Sequence, residues 1–130
     1  MSIVWVIDKN NKPKQFLATP FHGFLLFDNQ YYSNELADTD HRYTLYSPDG
    51  LVAIDPFKSF NEIENTIMNY EMIVPPLPVQ VSCPFYNRYN GQIGKCVCHH
   101  KLDDRYLIAL ENKTHFIPIG WYVPSSFVQI

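Results

Sequence analysis

Short runs of β-branched and aromatic residues, each bounded by Pro, Gly, Asn or Asp, recur along the 130-residue chain. Such runs favour strands, because branched and aromatic side chains pack well on a pleated surface and the bounding residues favour turns. Aromatic residues make up 15% of the chain, and ten Pro stand against five Gly. The pattern predicts a mainly β (α+β) chain rich in turns.

In the N-terminal part, the clearest signal is a hairpin. The runs Arg42–Tyr46 and Leu51–Ile54 flank Ser47-Pro48-Asp49-Gly50, in which Pro presets φ and Gly accepts a positive φ. Before this hairpin the same kind of pattern predicts three further strands, over residues 3–7, 14–18 and 23–27.

One helix is predicted, over residues 59–71. Ser59 and Glu62 have the spacing of a capping box, in which the Ser hydroxyl and the Glu carboxylate satisfy the first backbone N–H groups. An apolar stripe at spacings of three and four residues then follows, formed by Phe60, Ile63, Ile67 and Tyr70.

The segment Pro75-Pro76-Leu77-Pro78 is the predicted boundary, because three prolines in four residues favour a stiff, extended connector. The sequence then divides into a β-rich subdomain with one helix, 1–74, a connector, 75–78, and a second subdomain, 79–130. The alternative is that the segment wraps against a single domain. Five short strands are predicted after the connector, which is the number in a small closed barrel.

The segment Gly120–Val128 resembles the closing segment of SH3 domains, in which Gly, an aromatic residue and Pro-Ser lead through a short 3₁₀ turn into the last strand. Arg105–Ala109 lies where the central strand of that family would fall, and Cys83–Tyr89 lies near its aromatic loop. The resemblance implies a small SH3-like five-stranded barrel for the C-terminal part. The predicted barrel is also similar to the prokaryotic SH3-like modules, which bind proteins or nucleic acid through loops and edges.

SH3 domains bind Pro-rich peptides in a groove of aromatic residues and Pro. Carried over, Pro124 and Phe127 match the closing segment, and Tyr86 or Tyr89 would supply the loop aromatic. The family's groove Trp has no counterpart, and Tyr106 is the nearest aromatic. Phe127 also lacks the hydroxyl that many family members use as a donor.

No catalytic motif is found, so we expect a non-enzymatic protein-interaction module: an adaptor, an assembly factor or an inhibitor of a partner protein. A second candidate surface is the acidic loop 28–40, because aromatic residues flanked by acids on a loop can anchor an interface. The predicted partner-binding residues are Tyr86, Tyr89, Tyr106, Trp121, Pro124, Phe127, Tyr31 and Tyr32.

Nucleic-acid binding is the alternative function. The formal net charge is −3, but residues 1–74 carry −5 and residues 75–130 carry +2. Basic residues interleaved with Tyr suit single-stranded nucleic acid, which is bound by stacking and phosphate contacts. The candidate residues are Arg88, Lys95, Lys101 and Arg105.

Three Cys and two neighbouring His raise the question of a zinc site. On a regular strand, Cys96, Cys98 and His100 would share one face about 7 Å apart, which is too wide for a tetrahedral site unless a bulge changes the spacing. We therefore expect Cys83, Cys96 and Cys98 to be packed thiols, with no metal and no cofactor. The absence of a signal peptide or a long apolar segment leads us to expect a cytoplasmic protein without membrane contact.

Overall fold

The computed structural model describes residues 2–85 and 87–130 of the chain. Within this part, ten strands and one α-helix are present, so the prediction of a mainly β chain with one helix is confirmed. The chain forms two compact units, Met1–Ile67 and Met68–Ile130. They are called the N-terminal unit and the C-terminal unit below.

The N-terminal unit contains a five-stranded antiparallel sheet in sequence order. Its strands are β1 Ser2–Ile7, β2 Pro13–Phe21, β3 Phe24–Asp28, β4 Tyr43–Tyr46 and β5 Ala53–Phe57. Strand β2 changes partner along its length: residues 13–18 pair with β1, and residues 19–21 pair with β3. Strand β2 therefore links the pair with β1 to the pair with β3, and its first six residues are paired with a strand on one side only.

The core of the N-terminal unit follows from the two-residue repeat of its strands. On β2, Phe16 and Ala18 are buried whereas the intervening Leu17 is 45% exposed. Val4 of β1 stands opposite Phe16 in the register and is fully buried. The central cluster consists of Val4, Phe16, Ala18, Leu25, Phe27, Leu36 and Tyr46.

The predicted hairpin turn is confirmed. The Gly50 N–H donates to the Ser47 carbonyl over 2.9 Å, and Gly50 has a φ of 74°. Its α-carbon packs against β1, because a Cβ built on Gly50 would stand 2.1 Å from the Ile3 carbonyl oxygen. Only Gly satisfies both the positive φ and this close approach.

Helix α1, Phe60–Thr66, begins as predicted but ends early. The Ser59 hydroxyl accepts from the Glu62 N–H, while the Glu62 carboxylate accepts from the Lys58 N–H rather than from Ser59 itself. A 3₁₀ turn, Ile67–Asn69, follows. The predicted end at residue 71 is wrong, because Tyr70 already pairs with His100 in a sheet and tertiary pairing overrides the helical pattern.

The C-terminal unit contains a second five-stranded antiparallel sheet, in which the last strand lies beside the first. Its strands are β6 Tyr70–Val81, β7 Ile93–His100, β8 Arg105–Glu111, β9 Phe116–Tyr122 and β10 Phe127–Gln129, in the spatial order β10-β6-β7-β8-β9. A 3₁₀ turn, Pro124–Ser126, separates β9 from β10.

The Pro-rich segment 75–78 lies inside β6 rather than between the two units, whose division falls between Ile67 and Met68. Met72 pairs with Cys98 and Leu77 pairs with Cys96, so four residues of β6 stand opposite the single residue Val97. Proline cannot donate to a ladder, and strands accommodate it where the ladder is interrupted. Pro75 and Pro76 lie in this interruption, whereas Pro78 is in register with Lys95.

Side chains are buried on both faces of the C-terminal sheet, since the adjacent residues Leu107 and Ile108 are both fully buried, and one hydrophobic cluster is formed around Ile108. This cluster consists of Val79, Val81, Cys96, Ile108 and Tyr122, with half-buried apolar side chains around it. Two of these surrounding side chains, Tyr106 and Phe127, extend from the core to the surface.

Candidate binding surfaces

Three aromatic side chains meet where β7, β8 and β10 come together, and we call them the Tyr106 cluster: His99, Tyr106 and Phe127. His99 and Tyr106 are cross-strand partners, and their rings stack with centroids 4.2 Å apart and planes at 11°. The Phe127 ring meets the Tyr106 ring edge-on at 5.5 Å. All three side chains are half-buried, so the cluster presents aromatic surface whose position the sheet holds.

The imidazole of His99 is oriented by the turn that follows β7. Its Nε2 lies 2.9 Å from the Asp104 Oδ1, within hydrogen-bond distance. Asp104 adopts a φ of 49°, a left-handed conformation that Asp tolerates better than most residues. The β7–β8 hairpin therefore holds the His99 imidazole between the Asp104 carboxylate and the Tyr106 ring.

The Tyr106 phenol keeps its proton at neutral pH. Burial raises its pKa, and the nearby negative charges of Asp104 and Glu71 act in the same direction. A protonated phenol can donate a hydrogen bond to a ligand. The Tyr106 hydroxyl thus gives this cluster a hydrogen-bond donor, which Phe127 lacks.

Trp121 does not join the Tyr106 cluster. In the register of β8 and β9, Trp121 pairs with Leu107 while Tyr122 pairs with Tyr106, and adjacent strand residues point to opposite faces. Trp121 lies instead beside Tyr70 and His100, at ring distances of 6.0 and 6.1 Å. The structure therefore separates two side chains that the sequence analysis grouped in one surface.

Pro124 stays exposed in the 3₁₀ turn that precedes Phe127. The turn is attached to the end of β6, because the Ser82 N–H donates to the Ser126 carbonyl over 2.8 Å. Phe127 itself pairs with Val81. Pro124 is thus held three residues from the Tyr106 cluster in a turn with a defined backbone.

The loop between β6 and β7 carries the remaining aromatic candidates. Tyr89 is half-buried and receives the Arg88 guanidinium, which lies 4.8 Å from its ring centroid and donates to its hydroxyl over 2.7 Å. Asn87 donates to the Tyr122 hydroxyl over 3.2 Å, which attaches the loop to the core. Tyr86 lies outside the described residues.

In the N-terminal unit, the acidic loop forms one wall of an open groove of about 320 Å³. Tyr31 is 80% exposed, and its ring meets the Tyr32 ring edge-on at 4.9 Å. Tyr32 in turn contacts the core rings of Phe16 and Phe27. The groove is lined by Leu17, Ala18, Thr19, Leu26, Asp28, Tyr31 and Tyr32.

Two of the four basic candidates for nucleic acid are engaged by neighbouring side chains, and the other two lie beside acidic residues. Lys95 forms an ion pair with Glu111, and Arg88 is bound to Tyr89 as described above. Lys101 and Arg105 are exposed on either side of Asp103 and Asp104 in the β7–β8 hairpin, which dilutes their charge.

The cysteines are packed thiols in this structure. A bulge places Cys96 opposite Ile108 but Cys98 opposite Leu107, so the two thiols belong to opposite faces. The prediction that they share one face is therefore wrong, because a regular two-residue repeat does not hold through the bulge. Burial raises the pKa of the Cys96 thiol to about 11, so it is not a thiolate at neutral pH.

Within residues 2–85 and 87–130, the structure brings together no three His, Cys, Asp or Glu side chains that could hold a metal ion. Over the same residues, it contains no helix with the length and apolar character needed to cross a membrane.

Two contributors to these surfaces were missed from the sequence. From the sequence, His99 is treated only as one of two histidines next to the cysteines. The four-residue turn between the predicted strands β7 and β8 already sets His99 opposite Tyr106, as the structure shows. Asp28 was counted only as one of several acids. Its place at the end of the groove depends on where β2 leaves β3, which no local pattern indicates.

Comparison with known proteins adds no relative: no family model, no curated protein and no solved structure matches the chain.

Proposed function

We propose that this chain is a non-enzymatic protein-interaction module, acting as an adaptor, an assembly factor or an inhibitor of a partner protein. Its contact surface in the C-terminal unit would be the Tyr106 cluster together with Pro124. The observation that carries the proposal is the cluster itself: stacked, half-exposed aromatic rings held by a sheet, with a phenol donor among them. Ordered aromatic side chains dominate the binding energy of many interfaces.

We further propose that the C-terminal unit is an SH3-like barrel. Two features support this assignment beyond the sequence resemblance. The unit has five antiparallel strands with the last beside the first, and a 3₁₀ turn beginning at Pro124 leads into the last strand. A fold does not determine a function, so the partner has to be argued from the surface.

The test is an affinity pull-down from native lysate at near-physiological salt with nuclease present. Three variants are compared with the wild type: Tyr106→Ala, Pro124→Glu and the control Ile117→Glu. Ile117 is 43% exposed on β9, so its substitution introduces the same charge on the same unit away from the cluster. We expect the first two variants to weaken capture of a specific protein about tenfold and the control to leave it unchanged.

Circular dichroism and thermal unfolding establish that each variant is folded. If a folded Pro124→Glu variant and a folded Tyr106→Ala variant both retain full capture, the Tyr106 cluster is not the contact surface.

Nucleic-acid binding remains the competing function, and the stacking of Arg88 on Tyr89 is the observation that favours it. It would show as nucleic acid recovered when nuclease is omitted. Its affinity would fall steeply with salt, because phosphate contacts release counterions. A folded Lys101→Glu, Arg105→Glu double variant would then lose binding, whereas a protein partner at the Tyr106 cluster would show a shallower dependence on salt.

A further inference from the structure

The groove beside Tyr31 exists because β2 and β3 separate. Residues 19–21 of β2 pair with β3, and the last pair is Thr19 with Leu26. Residues 13–18 of β2 pair with β1 alone. Leu17 and Thr19 point to the same side of β2 by the two-residue repeat, and Leu26 and Asp28 do so on β3. The gap between the strands is therefore lined by two leucines and a threonine, and it ends at the Asp28 carboxylate.

Tyr31 is presented to this groove by an ordered loop rather than by a loose one. The Asp28 Oδ1 accepts from the N–H groups of Gln30 and Tyr31, at 3.0 and 3.3 Å. Behind Tyr31, the Tyr32 ring stacks on Phe27 with centroids 5.5 Å apart and planes at 8°. An exposed ring that is already ordered loses little conformational entropy when a partner covers it.

The charge of the groove selects a cationic partner. Among the described residues, no Lys, Arg or His lies within ion-pair distance of Asp28, whereas Lys14 on β2 is already bound to Glu35. Residues 1–67 carry five Lys or Arg and nine Asp or Glu, a net charge of −4. Asp28 is thus an anionic group at the end of an apolar groove, within an anionic unit.

We propose that this groove binds a segment of a partner protein that presents a Lys or Arg side chain next to an apolar one. The cation would contact Asp28, and the apolar side chain would contact Leu17, Leu26 and the Tyr31 ring. The first half of β2, with its ladder on one side, offers backbone groups along the same groove. The inference shares with the proposed function only that the partner is a protein, and its residues lie in the other unit.

The experiment selects peptides from a random twelve-residue display library on the immobilised full-length protein, then measures their affinity by calorimetry. We expect the selected peptides to share a Lys or Arg next to a Leu, Ile, Phe or Trp. Tyr31→Ala should weaken them about tenfold, and Asp28→Asn about fivefold.

Asp28→Asn is informative because an Asn side-chain oxygen can still accept from Gln30 and Tyr31, so the loop is kept and the charge alone is removed. Asp40→Asn is the matched control, since Asp40 is an exposed acid of the same loop that does not line the groove. The control should bind like the wild type, and replacing the cation of the peptide by Gln should remove the difference between wild type and Asp28→Asn.

Selected peptides without a shared cation, or no enriched peptide at all, would overturn the inference. So would binding that is indifferent to Tyr31→Ala and Asp28→Asn. If such binding is instead lost in Pro124→Glu, the inference fails while the proposed function stands. Sedimentation that shows dimers of the wild type, lost in Tyr31→Ala, would also overturn it, because the occupant would then be a second copy of this chain.

Discussion

The buried Cys96 thiol ties the stability of the C-terminal unit to alkaline pH. Burial raises its pKa to about 11 from an ordinary value of 9.0, so the folded chain keeps a proton that the unfolded chain releases. The stabilisation is therefore complete below pH 9 and is lost as pH rises toward 11. A shift of this size corresponds to about 2–3 kcal/mol.

We expect the free energy of unfolding in urea, followed by Trp121 fluorescence in a Trp5→Phe background, to fall between pH 9 and 11. In Cys96→Ala the value at neutral pH is lower because a cavity is formed, but the alkaline decline is smaller by about 2 kcal/mol. An equally steep decline in the variant would show that the thiol is not the titrating group.

Two glycines in turns separate the cost of a positive φ from the cost of a steric clash. Gly23 and Gly50 have φ values of 80° and 74°, but a Cβ on Gly23 would meet nothing within 4 Å, whereas one on Gly50 would collide with the Ile3 carbonyl. Gly23→Ala should cost about 1 kcal/mol and Gly50→Ala at least about 3 kcal/mol. Urea unfolding of both variants measures the difference, and similar losses would contradict the close approach of Gly50 to β1.

At the level of elements, the start of α1 depends on one hydroxyl. Because the Ser59 Oγ accepts the Glu62 N–H, Ser59→Ala should lower the free energy of unfolding by about 1 kcal/mol. Asn61→Ala, at an exposed position of the same helix, is the control and should change it by less than about 0.5 kcal/mol. Equal effects in denaturant titrations would show that capping does not stabilise this helix.

Local patterns predicted most of the elements, since the strands Ile93–His100 and Arg105–Glu111 and the turn at Gly50 are found as expected. These local patterns predicted the wrong structure where pairing with a distant segment determines which element a residue joins. Tyr70 continues the helical stripe but joins β6, and the interruption opposite Val97 accommodates Pro75 and Pro76. Both outcomes depend on β7, which follows more than ten residues later.

The candidate surfaces show the same limit. Tyr106 and Phe127 were both predicted as partner-binding residues, and their rings are in contact although their strands are not neighbours in the sheet. Trp121 was predicted with them but faces the other side, and only the pairing of β8 with β9 reveals it. Residue type therefore indicated which side chains could bind a partner, and sheet register decided which of them share a surface.

On the scale of the whole molecule, each unit has a hydrophobic cluster of its own and one of the two Trp residues of the chain. Trp5 belongs to the N-terminal unit and Trp121 to the C-terminal unit. The single-Trp backgrounds Trp121→Phe and Trp5→Phe therefore allow the unfolding of each unit to be followed separately in the full chain.

Truncation of one cluster should act on one unit. Leu25→Ala and Ile108→Ala each remove a buried side chain from a single cluster and should cost about 2–5 kcal/mol. We expect Leu25→Ala to lower the urea midpoint reported by Trp5 and to leave that of Trp121 unchanged, with the opposite result for Ile108→Ala. If both midpoints fall together in both variants, the two clusters stabilise one cooperative unit, and a substitution in either surface has to be judged against the stability of the whole chain.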